Sequence, residues 1–133
     1  MDEAVLPIRS GDDVVRVRQQ VRVAAADNGL SLVDQTKLVT AASELARNTL
    51  IHGGGGAATV EVLKSPNGRT GVKLSFTDQG PGIPDLELAL TDGWSSGSGL
   101  GLGLSGARRL VDEFELDSKP GSGTSIVVVK WSR

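Results

Sequence analysis

The sequence contains no cysteine and no tyrosine, and only two phenylalanines and two tryptophans. Without cysteine the chain has neither a disulfide framework nor a thiolate metal site, which fits a reducing compartment. No apolar run approaches the roughly 20 residues that a membrane-spanning helix needs. The first residues also lack the basic and then apolar pattern of a secretion signal. These absences favour a cytoplasmic protein with no membrane partner.

An excess of charge of one sign is missing as well. The formal net charge is -2 and the sequence pI is about 5.3, so the chain has no basic stripe of the kind that binds nucleic acid. We therefore expect no nucleic-acid partner. With 133 residues, the chain is predicted to form a single domain over 1–133, long enough to bury about two thirds of its unfolded surface.

The distribution of apolar residues and turn signals predicts both strands and helices. Val14, Val17 and Val21 follow the helical period after a capping Ser10 or Asp12. The strands are predicted at 5–9, 58–63, 71–77, 114–117 and 124–131, and the helices at 12–28, 31–52, 85–90 and 104–111. The first strand contains a proline, which favours an edge position. This order predicts a two-layer α/β (α+β) sandwich with helices covering one face of the sheet, and the other face solvated or covered by a partner.

The second predicted helix carries Glu44, Asn48 and His52 at intervals of four residues. Residues with this spacing lie on one face of a helix, so a carboxylate, an amide and an imidazole share one side. An amide oxygen such as that of Asn48 suits Mg²⁺, and Glu44 can accept the proton of an attacking hydroxyl. A solvated helix face is the alternative, because this spacing is common. For His52 we favour a structural role at the helix end, where the helix dipole suits it.

Glycine is abundant, with 18 residues, and two glycine-containing segments follow the second helix. Asp78 ends an apolar strand just before Gly80 and Gly82, so its carboxylate can accept a hydrogen bond from an amine such as adenine N6. An ordinary Asp-x-Gly turn is the alternative. The run 97–106 precedes a predicted helix and suits a phosphate cradle with a hinged lid over 91–103. It formally matches the dinucleotide fingerprint, but no strand precedes it, which excludes that interpretation.

Taken together, four segments resemble the boxes of the GHKL, or Bergerat, ATP-binding superfamily, which includes DNA gyrase, mismatch-repair ATPases and histidine kinases. Residues 44–48 are similar to its N box, 78–82 to its first glycine box, 99–103 to its second and 123–124 to its last. The resemblance implies the Bergerat fold, with a mixed, largely antiparallel sheet. It implies Glu44 as the catalytic base and Asn48 as the Mg²⁺ ligand. Nucleotide contacts are implied for Asn48, Asp78, Gly80, Gly82, Ile83, Gly99, Leu100, Gly101, Leu102, Gly103 and Thr124.

Further segments, at 43–48, 78–85, 109–114 and 129–131, resemble the small RsbT-type serine kinases of bacterial stress signalling. That family implies a kinase that uses ATP and Mg²⁺ to phosphorylate STAS-domain proteins of a stressosome. After release, such a kinase binds and activates a PP2C-type phosphatase. The alternative is an ATP-gated binding module that sequesters a sigma factor or anti-anti-sigma factor, with little kinase activity. We disfavour a histidine-kinase fragment, because the chain carries no dimerisation helix pair with an acceptor histidine.

Overall fold

The computed structural model describes residues 3–82 and 104–133, which form five strands and three helices. The strands are β1 (Glu3–Ile8), β2 (Gly56–Lys64), β3 (Thr70–Asp78), β4 (Glu113–Lys119) and β5 (Gly123–Trp131). The helices are α1 (Gly11–Asp27), α2 (Leu32–Ile51) and α3 (Leu104–Leu110). The predicted helix at 85–90 and the predicted lid at 91–103 lie outside the described residues.

The strands form one sheet in the order β1-β2-β3-β5-β4, and all four neighbouring pairs are antiparallel. Short turns join β2 to β3 and β4 to β5, which makes these two pairs hairpins. In the first of these turns, Gly68 adopts a φ of 87°, a conformation that glycine reaches without strain. Pro7 lies in β1 at the edge of the sheet, as its missing N–H requires. The predicted antiparallel character of the sheet is confirmed, whereas the parallel pair that a mixed sheet requires does not occur among the five described strands.

Side-chain hydroxyls cap the two longer helices. Ser10 accepts a hydrogen bond from the backbone N–H of Asp13, and Ser31 accepts one from that of Asp34. The helices pack on one face of the sheet, where they and the inward-facing strand residues form one apolar core. Its largest fully buried side chains include Phe76, Ile8, Leu38, Leu45 and Leu74. The predicted two-layer sandwich with helices on one face is therefore confirmed. In the described ranges, no helix combines the length and apolar character needed to cross a membrane.

A group of charged side chains lies at the end of the sheet where α2 begins. Lys130 on β5 is only 3% exposed, and its Nζ lies 3.6 Å from Asp34 Oδ1 and 3.5 Å from Asp112 Oδ1. Arg133, largely exposed, reaches both carboxylates from the outside. Burial acts to raise the pKa of Asp112, but the Trp131 N–H and the Lys130 and Arg133 charges hold that pKa below its usual value. The group ties the start of α2 to the end of β5.

Candidate nucleotide site

A cavity lies at the opposite end of α2, where that helix ends beside the sheet. α2 and the residues after it contribute Asn48, Thr49, His52 and Gly53 to its lining. The cavity is completed by Phe76 and Asp78 of β3, Thr124 and Ile126 of β5, Leu104 of α3, and Gly82. The cavity therefore has an apolar floor with an amide, an imidazole, a carboxylate and a hydroxyl around it. Such a combination is typical of a binding site for a small molecule or cofactor.

Asp78 is the last residue of β3 and pairs with Gly56 of β2 and Thr124 of β5. Its Oδ1 accepts a hydrogen bond of 2.9 Å from the backbone N–H of Gly80. A carboxylate has acceptor capacity on both oxygens, so the second oxygen is left for a ligand donor. Thr124 lines the same cavity, and its hydroxyl lies 2.9 Å from the Ser118 hydroxyl. The structure thus brings Thr124 beside Asp78.

Glycines from three segments surround Asp78, and we call Gly53, Gly56, Gly80 and Gly123 the glycine collar. A β-carbon on any of them would clash with a neighbouring atom. At Gly53 it would meet the Asp78 side chain, and at Gly123 the backbone oxygen of Asp78. At Gly56 it would meet the backbone oxygen of Thr77, and at Gly80 the backbone of Gly53. Gly123 also has a φ of 89°. The collar lets three stretches of backbone pack closely together around the end of β3, where Asp78 lies.

Gly82 shows the same close approach in the next segment. Its φ is 79°, and a β-carbon would clash with the backbone oxygen of Lys119, the last residue of β4. The N–H of Gly121 donates a 2.7 Å hydrogen bond to the carbonyl oxygen of Pro81. The segment that follows Asp78 is therefore fastened to the end of β4 and to the turn between β4 and β5.

Asn48 and Glu44 lie one turn apart on α2 and differ in their relation to the cavity. Asn48 lines it, whereas Glu44 is half-buried and is not among the lining residues. Because α2 continues unbroken from Leu32 to Ile51, the side chains four residues apart share one face. Arg47 and Ile51 on the adjoining face are exposed. Glu44 is thus presented beside the cavity, toward a surface that a second protein can reach.

His52 both ends the helix and lines the cavity. It is the C-cap of α2, and its backbone N–H donates a 2.9 Å hydrogen bond to the Asn48 carbonyl oxygen. The interpretation of His52 as a helix end is confirmed. Its spacing of four from Asn48 had placed it on the same helix face, but the structural role was favoured and His52 was not among the predicted nucleotide contacts.

Five further lining residues were not predicted: Thr49, Gly53, Phe76, Leu104 and Ile126. Phe76 and Ile126 face each other across β3 and β5 and form the floor with Leu104. Strand alternation signals that Phe76 and Ile126 point inward, but it does not distinguish a core residue from a cavity floor. The Thr49 hydroxyl donates a 3.0 Å hydrogen bond to the Leu45 carbonyl oxygen, which satisfies it within the helix.

Several predicted contacts fall in a part of the chain that the structure does not describe. These are Ile83, Gly99, Leu100, Gly101, Leu102 and Gly103, so the predicted phosphate cradle stays a prediction. The helix that the cradle was expected to precede is present as α3, which begins at Leu104. Leu104 itself lines the cavity.

The lining residues fit a purine nucleotide with its metal. Asp78 lines the cavity, and a carboxylate can accept a hydrogen bond from an exocyclic amine. Asn48 supplies an amide oxygen, a donor atom that Mg²⁺ accepts alongside phosphate oxygens and water.

Comparison with protein families identifies the class. Residues 33–132 match the family described as histidine kinase-, DNA gyrase B-, and HSP90-like ATPase. The fold agrees with that of solved structures. The RsbU and RsbW domains of a Mycobacterium tuberculosis protein give a TM-score of 0.66 at 22% identity, and the match covers 100% of this chain and 33% of that one. The mycobacterial sensor histidine kinase MprB gives a TM-score of 0.58 at 22% identity over 99% of both chains. The chain therefore belongs to this ATPase family, and its nucleotide is ATP.

The curated relatives define the branch of that family. The chain is 43% identical to the serine/threonine-protein kinase RsbT of Bacillus subtilis, over 99% of this chain and 98% of the relative. It is 26% identical to an anti-sigma F factor of Thermoanaerobacter, over 86% of this chain and 82% of that one. Within the ATPase family the protein is thus a serine/threonine-protein kinase of the RsbT type.

Proposed function

We propose that this protein transfers the γ-phosphoryl group of Mg-ATP to serine or threonine hydroxyls of STAS-domain stressosome proteins in the cytoplasm. After release it binds and activates a PP2C-type phosphatase in the general stress response. The observation that carries the proposal is that Asn48, Asp78 and Thr124 line one cavity, with Glu44 one turn away on the same helix. We further propose that 1–133 acts as a single ATPase domain, with neither nucleic acid nor membrane among its partners.

In the proposed reaction Asp78 accepts a hydrogen bond from the adenine amine, with Thr124 beside it. Gly80, Gly82, Ile83 and residues 99–103 would contact the nucleotide through their backbone. Asn48 would hold Mg²⁺, which neutralises phosphate charge when bound.

Glu44 would act on the acceptor protein. The hydroxyl oxygen of the acceptor bonds to the γ-phosphorus, the bond from that phosphorus to the bridging oxygen breaks, and ADP leaves. Glu44 takes the hydroxyl proton. This role requires the acceptor to dock over the α2 face that also exposes Arg47 and Ile51, the latter with 62% of its surface accessible.

The test is phosphotransfer by a Glu44→Ala variant. Wild-type protein, Mg-ATP and candidate STAS proteins are mixed, and phosphoserine or phosphothreonine is located by mass spectrometry. We expect the variant to bind ATP with wild-type affinity in calorimetry, because Glu44 does not line the cavity. Transfer should fall by at least about 100-fold, since a general base contributes that much or more. Glu115→Ala, on the exposed strand β4, is the matched control and should transfer normally.

Unchanged transfer by Glu44→Ala would remove this residue from the mechanism. A second function, an ATP-gated switch that sequesters a sigma factor or anti-anti-sigma factor, is favoured by the similarity to anti-sigma F factors. ATP-dependent complex formation by the wild type, without phosphate on any partner, would select that function instead.

A further inference from the structure

Gly53 leaves no room for a β-carbon between itself and the side chain of Asp78. A β-carbon built on Gly53 lies 2.5 Å from both Cβ and Oδ2 of Asp78, whereas non-bonded atoms in contact stay about 3.5 Å apart. Gly53 is not among the residues with positive φ, so its backbone conformation is open to other amino acids. Space alone therefore requires glycine at this position.

The backbone of Gly53 is held in place from two sides. Its N–H donates a 3.2 Å hydrogen bond to the Asn48 carbonyl oxygen at the end of α2. On the other side lies Gly80, where a β-carbon would be 2.7 Å from the Gly53 α-carbon. The Gly55 N–H fastens the following segment through a 3.0 Å bond to the Thr49 carbonyl oxygen. A larger residue at 53 must therefore displace the Asp78 side chain rather than retreat from it.

The orientation of the Asp78 carboxylate depends on this contact. Gly80 donates to Oδ1 at 2.9 Å, and Gly53 lies against Oδ2, so the two glycines together set the plane of the group. Restoring ordinary contact distance to a new β-carbon shifts the carboxylate by about 1 Å. A shift of that size takes a hydrogen bond beyond its useful range of roughly 3.2 Å.

We propose that Gly53 is a positioning residue for base selection: its missing side chain holds the Asp78 carboxylate in the orientation that distinguishes adenine from a 6-oxopurine. This inference rests on the proposed role of Asp78 as the adenine reader. Gly53 acts only through Asp78, so its effect falls on recognition of the base and not on phosphoryl transfer.

The test compares ATP with inosine triphosphate (ITP), whose base carries an oxygen where adenine carries the amine. Wild-type protein should bind ATP at least about tenfold more tightly than ITP, the effect of one hydrogen bond to a charged group. In Gly53→Ala this ratio should fall to about threefold or less, mainly through weaker ATP binding. The KM for ATP should rise, while kcat at saturating ATP stays within about twofold because Glu44 and Asn48 are undisturbed.

Gly54→Asn is the matched control. Gly54 has a φ of 73°, which asparagine tolerates, and a β-carbon there meets nothing within 4 Å. This variant should keep the wild-type ratio. Should Gly53→Ala fail to fold, the double variant Gly53→Ala/Asp78→Gly removes the clashing side chain and should match Asp78→Gly alone in both affinities.

Each outcome bears on a different claim. A wild-type protein that binds ATP and ITP equally would overturn the role of Asp78, and with it the proposed base recognition. A wild type that discriminates, together with a Gly53→Ala variant that discriminates equally well, would overturn the role of Gly53 alone. An equal loss of affinity for ATP and ITP would also overturn it, since that result marks a displaced α2 end and not a displaced carboxylate.

Discussion

Replacing Lys130 with methionine tests how the buried charges at the start of α2 contribute to stability. Lys130 is 3% exposed and Asp34 is 6% exposed, and the ammonium lies 3.6 Å from the Asp34 carboxylate and 3.5 Å from that of Asp112. Methionine keeps most of the side-chain volume but removes the positive charge. Asp34 then remains buried, and the exposed Arg133 is its one remaining cationic partner within the described ranges.

We expect Lys130→Met to lose a large part of the free energy of unfolding, because an uncompensated charge is left in the interior. Removing one partner of a buried pair typically costs about 3–5 kcal/mol, and Arg133 should keep the value near the lower end. For a chain of this length, the melting temperature should fall by about 10 °C or more. Urea unfolding followed by circular dichroism measures the difference. Lys73→Met is the control, because Lys73 is more exposed and lies 4.0 Å from Glu61, so its loss should cost less than about 1 kcal/mol.

The pH dependence separates charge from packing. Asp112 has a lowered pKa in the folded state, so its contribution to stability is present above its unfolded pKa and is lost as the pH falls through the folded value. Lys130 is one cause of the lowered Asp112 pKa, so Asp112 should contribute less to stability in the Lys130→Met variant than in the wild type. The stability difference between wild type and Lys130→Met should therefore be largest near neutral pH and shrink in acid. A difference that is small, or equal at pH 7 and in acid, would refute the electrostatic reasoning.

Two further predictions concern a helix cap and the cavity floor. Ser31→Ala should lower the free energy of unfolding, measured with urea, by about 1 kcal/mol. The loss should exceed that of Ser10→Ala, because the Ser31 hydroxyl accepts its hydrogen bond at 3.1 Å and the Ser10 hydroxyl at 3.4 Å. Equal losses in the two variants would count against this ranking. Phe76→Ala should lower the free energy of unfolding by about 3–5 kcal/mol, since Phe76 is 1% exposed. It should also weaken ATP binding in calorimetry, because Phe76 forms part of the cavity floor. Native ATP affinity in this variant would contradict that placement.

Much of the fold was predictable because its signals are local. The Ser10 and Ser31 caps, the valine period of α1 and the turn before Arg69 are all decided by neighbours within a few residues. The order of the motifs along the chain was also sufficient to indicate the ATPase family. The burial of Lys130 was not predictable, because a lysine near the end of a strand is usually solvated, and its two carboxylate partners lie far from it in sequence.

The candidate site, too, has features that the sequence indicates and features that depend on the tertiary structure. The sequence by itself determined which residues are candidates for the chemistry, since Glu44, Asn48 and Asp78 stand out by their type and by the order of their motifs along the chain. Only the tertiary structure decided that Asn48, His52 and Asp78 share one cavity, and that Gly53 must lack a side chain for Asp78 to fit beside it. Spacing specifies directions within one helix or strand. The approach of a helix end to a strand end depends on how the whole core packs, and no local pattern records it.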